Sequence, residues 1–99
     1  MYIGGIDTPF DQCDTDSVSV DATGGQCSAL FTNLTLGTKQ REVLIRNRGS
    51  TNVLFGKTVA TARWPIEPGD ALKLACKDLS KIALASASGS NTVDIIQVL

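Results

Sequence analysis

Every apolar run in this chain stops within a few residues at a turn-forming residue, and that spacing limits the folds open to it. Ala22-Thr23-Gly24-Gly25, Gly37, Asn47-Arg48-Gly49-Ser50, Gly56 and Glu67-Pro68-Gly69-Asp70 follow one another at short intervals, each between stretches of alternating character. Glycine, proline, asparagine and aspartate punctuate a chain because they supply the backbone conformations of tight turns. Several short strands separated in this way indicate a sandwich or a barrel.

The strands can be read in order. Ser17-Val18-Ser19-Val20 alternates with period two, the pattern of a half-buried strand. Cys27–Phe31 reads as a second strand, and Leu34-Thr35-Leu36 leads into Gly37. Residues 42–47, Glu-Val-Leu-Ile-Arg-Asn, have the strongest strand composition. Asn52–Gly56 follows a turn signal and reads as its hairpin partner. Lys57–Trp64 reads as an edge strand ended by Pro65, which cannot donate to a ladder. Pro68 and Gly69 occupy the central positions of a type II turn. Residues 70–79 fit one face of a capped helix as well as a strand; the flanking turns favour a strand with Leu72 and Leu74 on one face. Lys81–Ala85 and Thr92–Val98 complete the set, joined by a polar hairpin loop over 86–91. The fold class expected is all-β, a small β-sandwich (jelly-roll-like or Ig-like) of about seven to eight strands with an extended N-terminal arm.

Residues 1–16 form that arm and 17–99 the sandwich domain. Gly4-Gly5, Thr8-Pro9 and repeated aspartates break any periodicity in the arm, yet Tyr2, Ile3, Ile6 and Phe10 are apolar and costly to leave in water. These four are candidate interface residues of a docking arm; the alternative is that they cover the edge of their own sheet. The first 21 residues hold five aspartates and no lysine or arginine, while the rest holds all nine basic residues against five acidic ones. Two readings follow: an acidic arm that lies on a neighbouring copy or another protein, or a solvated tail.

Composition excludes several classes of chemistry. The chain has no histidine, which removes the usual base near neutral pH and all Ser-His-Asp or Cys-His catalysis. No pair of carboxylates evidently converges, so no enzymatic activity and no catalytic residue are expected. Cys13, Cys27 and Cys76 are widely spaced and form no CxxC pair, so neither a metal site nor a cofactor is expected. Cys27 and Cys76 read as small buried hydrophobes in strands. A net charge of −1 with few aromatics gives no footprint for nucleic acid. No apolar run is long enough to span a membrane, and the first residues lack the regions of a signal peptide, so folding in a cytosol is expected.

The strand ending in Arg46-Asn47-Arg48-Gly49-Ser50, the strand closing in Phe55-Gly56, the turn Ile66–Asp70 and the strand Ile82–Ser86 form one pattern with the final strand, Thr92–Leu99. Over residues 42–99 this resembles the small β-sandwich virion proteins of tailed bacteriophages, among them capsid decoration (cement) proteins. The resemblance implies a structural protein of the virion, assembled in the host cytoplasm. It would bind the major capsid protein and itself, commonly as a homotrimer, with no nucleic-acid or membrane partner. It also leaves open a head-fibre or tail adaptor, or a module that recognises a host glycan or receptor. Trp64, the sole tryptophan, is the fifth candidate interface residue; a core position in a small sandwich is its other reading. Arg41, Arg46, Arg48 and Arg63 read mostly as solvated strand faces.

Overall fold

The computed structural model describes residues 2–3, 6–7, 13–34, 42–76 and 78–98. Tyr2–Ile3 (β1) and Ile6–Asp7 (β2) pair with each other in a sheet of their own. Eight further strands follow: Cys13–Val20 (β3), Gly25–Gln26 (β4), Glu42–Asn47 (β5), Val53–Gly56 (β6), Trp64–Ile66 (β7), Ala71–Ala75 (β8), Ala83–Ser86 (β9) and Asn91–Val98 (β10). They form two antiparallel four-stranded sheets, ordered β3-β10-β5-β8 and β4-β9-β6-β7.

This order reads as one long hairpin folded over on itself. Strand β6 pairs with β7 at the tip, and β5 with β8, β4 with β9 and β3 with β10 pair progressively further out. Wrapping that ribbon brings β10 against β5 and β9 against β6, which closes the two sheets. The result is jelly-roll connectivity. An Ig-like order is excluded, because here the first and last sandwich strands are neighbours.

Burial explains the wrapping. Val20, Val43, Ile45, Val93 and Ile95 from the first sheet meet Val53, Ile66 and Leu84 from the second in one core. Each strand places alternate residues inward, so a strand on either sheet has one apolar face to cover. Strand β8 shows the period plainly: Leu72 and Leu74 are half-buried, while Ala71, Lys73 and Ala75 are exposed. This settles residues 70–79 in favour of a strand over 71–75. Asp70 N–H donates to Glu67 O at 2.9 Å and Gly69 has φ +85°, as a type II turn requires. Pro65 lies in β7, the outermost strand of its sheet, as a residue without an N–H should.

Several local expectations differ from the structure. Cys27–Leu30 is a short helix (α1), not a strand; Phe31 N–H closes its turn on Cys27 O at 2.9 Å. Cys27 and Phe31 are both buried, and a spacing of four is helical. β5 and β6 do not form a hairpin, nor do β9 and β10. In each case the connecting loop crosses from one sheet to the other. Lys57–Trp64 is not an edge strand: Val59–Thr61 is a 3-10 turn and the edge strand is Trp64–Ile66. Lys81 also belongs to a 3-10 turn, Leu79–Lys81, whose start is capped by the Asp78 carboxylate accepting from Ser80 N at 2.9 Å. Finally, β3 starts at Cys13, so the boundary expected between residues 16 and 17 falls inside a strand. Asp14 and Asp16 are therefore sheet residues, and of the five N-terminal aspartates only Asp7 and Asp11 precede the sandwich.

Candidate functional site

Two surface features stand out, and one residue lies between them. The first is the edge where both sheets end. Strands β7 and β8 are the outermost strands on the same side of the sandwich, joined by the turn at 67–70. Trp64 opens β7 opposite Phe55, with its side chain 64% exposed, and is the one large exposed hydrophobe among the described residues. Two residues on, Ile66 shares the strand face of Trp64 and is buried; the tryptophan is exposed because it stands at the open end of the outermost strand, beyond the cover that Ile66 has. A shallow groove of about 320 Å³ runs beside it, lined by Pro65, Glu67, Asp70 and Leu72 among others. The sequence left Trp64 open between core and interface; the structure puts it on the surface.

The second feature is a cluster on the outer face of the first sheet. Register sets Ser17, Asp94, Arg46 and Ala71 in one row across β3, β10, β5 and β8. Asp94 Oδ1 accepts from Ser17 Oγ at 2.6 Å. Its Oδ2 accepts from Arg46 Nη2 at 2.6 Å and from Arg48 Nε at 2.8 Å. Arg48 Nη2 also donates to Ser17 Oγ at 3.1 Å. Burial pushes the Asp94 carboxyl up, but the hydrogen bonds from Ser17, Arg46 and Arg48 and the charge of Arg48 outweigh it, holding the group below its ordinary value. The next row places Ile96 beside Leu44, and together with the cluster they line an open concavity of about 530 Å³.

Asn47 and Asn91 fix the geometry of both features. Asn47 is fully buried, and its Nδ2 donates to Thr51 O and Ile66 O, each at 2.8 Å. Its backbone exchanges bonds with the turn: Asn47 N to Asp70 O at 3.0 Å and Gly69 N to Asn47 O at 2.8 Å. Asn91 Oδ1 accepts from Ser50 N at 3.0 Å and Thr51 N at 3.1 Å. Asn91 Nδ2 donates to Thr51 Oγ1 at 2.8 Å and Ser86 Oγ at 2.7 Å. Gly49 passes so close that a Cβ there would fall inside the Asn91 side chain. The loop 48–51, which delivers Arg48 to Asp94, is thus clamped from below.

The other candidates are distributed differently. Tyr2, Ile3 and Ile6 lie in the β1–β2 pair, where Tyr2 pairs with Asp7 and Ile3 with Ile6; these two strands form a sheet of their own. Phe10 and Arg41 lie outside the described residues, and Arg63 is exposed. Among the described residues no group of three or more metal-binding side chains converges, and no helix is long and apolar enough to cross a membrane. Cys27 and Cys76 are free thiols. Burial, and secondarily the nearby Cys76, push the Cys27 thiol up to about 12, which makes it a poor nucleophile. Cys76 is half-buried just after β8 and donates to Asp78 O at 3.3 Å. The Arg46–Asp94–Arg48 cluster was missed in the sequence because its members read as solvated charges on separate strands. No protein-family model and no curated protein matches this sequence.

Proposed function

We propose that this chain is a non-catalytic structural protein of a virion surface, a capsid decoration protein that self-associates and docks on the major capsid protein. The observation that carries the reading is Trp64, held outward on the open β7–β8 edge by a rigid sandwich. A single exposed indole on an ordered edge has the character of an interface anchor, since tryptophan concentrates binding energy when its surroundings are desolvated. The resemblance over residues 42–99 supplies the context. Mass action supplies the benefit: a protein that binds only the assembled shell stabilises it.

The test is binding of the purified chain to undecorated phage capsids, read by co-sedimentation and by the capsid's thermal transition. Saturable binding with a raised transition is expected. Trp64→Ala should weaken binding by about 30-fold or more, corresponding to roughly 2 kcal/mol for an anchor residue. Equal binding by Trp64→Ala would reject the edge as the docking site.

One observation favours a second reading, recognition of a host-surface glycan. Glu67 and Asp70 are exposed in the groove beside the indole. A sugar ring stacked on Trp64 would find carboxylate acceptors for its hydroxyls there. Titration of free oligosaccharides against the tryptophan fluorescence separates the two: a saturable response without capsid supports the glycan.

A further inference from the structure

The outer face of the first sheet is not a plain solvated surface. Leu44, on that face, is only 8% exposed, with half-buried Ile96 beside it in the open concavity. At one end of the concavity two guanidiniums, 54% and 52% exposed, meet a single carboxylate that is 18% exposed. They carry more N–H donors than their bonds to Asp94 and Ser17 consume. An apolar floor with a cationic end suits an extended segment that combines apolar side chains with carboxylates.

The chain carries one such segment. Residues 1–12 contain Tyr2, Ile3, Ile6 and Phe10 together with Asp7 and Asp11, and no lysine or arginine. Their β1–β2 pair has two residues in each strand and forms a sheet of its own. A two-stranded sheet so short does not hold in water without a surface to pack on. Strand β3 begins at Cys13 opposite Val98, two pairs before Thr15 meets Ile96. Residues 8–12 span up to about 17 Å when extended, comparable to the 20 Å shortest dimension of the molecule. That is enough to carry the pair onto a neighbour.

We propose that the concavity at Leu44, Ile96, Arg46 and Arg48 receives the N-terminal segment of a second copy of this chain, so that copies associate by exchanging acidic arms. The inference concerns how copies meet and does not depend on what the Trp64 edge binds. It shares self-association with the proposed function, and its test contains no capsid, so failure of the arm exchange and failure of Trp64 docking are distinguished.

The experiment measures solution mass by light scattering for the full chain, for Asp7→Lys/Asp11→Lys, for Arg48→Glu, and for an equimolar mixture of the two variants. The unaltered chain should associate, and molar salt should weaken that association. Each variant alone puts like charges together and should dissociate about tenfold more readily or worse. In the mixture, basic arms meet the acidified groove and acidic arms meet the unaltered one, so association should return. Arg48→Glu leaves Arg46 on Asp94; if circular dichroism shows that it does not fold, Ala71→Glu on the exposed rim takes its place. A monomeric unaltered chain overturns the proposal, and so do variants that associate as before. A mixture that stays dissociated overturns it as well, because an arm docked on its own copy gains nothing from mixing.

Discussion

Replacing Asn91 by alanine isolates the clamp beneath the 48–51 loop. The substitution removes an acceptor shared by the Ser50 and Thr51 amides and a donor to the Ser86 and Thr51 hydroxyls. The hydroxyls lose least: each also donates to Ser88 O, from Thr51 at 2.7 Å and from Ser86 at 2.9 Å. The two amides lose their acceptor in a partly buried loop. Four bonds at a net 0.5–1.5 kcal/mol each, with the hydroxyl pair at the low end, give a loss of about 3 kcal/mol. Urea unfolding followed by far-UV circular dichroism is the assay. With a slope of about 1–3 kcal/mol per molar urea, the midpoint should fall by about 1–3 M with the slope unchanged. Ser90→Ala, at the exposed neighbouring position, is the control and should stay within about 0.5 kcal/mol. A midpoint for Asn91→Ala that matches the control would refute the reasoning, since the loop would then hold its shape without the clamp.

Three further outcomes follow from the same geometry. Because the Asp94 carboxyl is held below its unfolded value, its ionised form adds stability above about pH 4. That contribution is lost as pH falls through the lower, folded-state value; Asp94→Asn should therefore flatten the melting-temperature profile below about pH 4, and an unchanged acid limb would contradict the cluster's role. Trp64→Ala should leave melting temperature nearly unchanged, and the native fluorescence should show the red-shifted emission of a hydrated indole; a blue-shifted spectrum would place the side chain in a core. In a Cys13→Ser/Cys76→Ser variant, Cys27 should resist a thiol reagent at pH 8 until urea unfolds the protein, and rapid labelling of the native form would contradict its burial.

The sequence made some elements legible and hid others for a physical reason. Strands β5, β8 and β10 could be read because each is long enough for alternation to repeat, and the 67–70 turn because proline and glycine leave it little choice. Pairing could not be read. Arg46 and Asp94 are 48 positions apart and meet only because β10 inserts between β3 and β5. Local turn signals favoured hairpins at 47–52 and 86–91, whereas each of those loops changes sheets. The α1 error has a different origin: Cys27 to Phe31 is too short for a period of two to be told from a spacing of four. The N-terminal aspartates misled in a third way, since Asp14 and Asp16 sit on a strand whose polarity reflects an exposed edge. Asp16 there accepts from the Asn33 amide at 3.2 Å.

Asn47 shows why the two surface features have a fixed relation. Its neighbours in sequence, Arg46 and Arg48, both reach Asp94 on the outer face, while its own side chain points into the molecule and holds Ile66. Its backbone holds the turn between β7 and β8. One short stretch of β5 therefore sets the guanidinium pair on one surface and the end of the tryptophan-bearing strand on another. Side chains alternate across a strand, so inward Asn47 and outward Arg46 cannot exchange roles without a register slip that would bury charge. On the proposed function and the proposed arm exchange, this fixes the angle between the arm-receiving face and the docking edge. Copies joined through the first would then present the second in a repeating geometry, as attachment at several points to a regular shell requires.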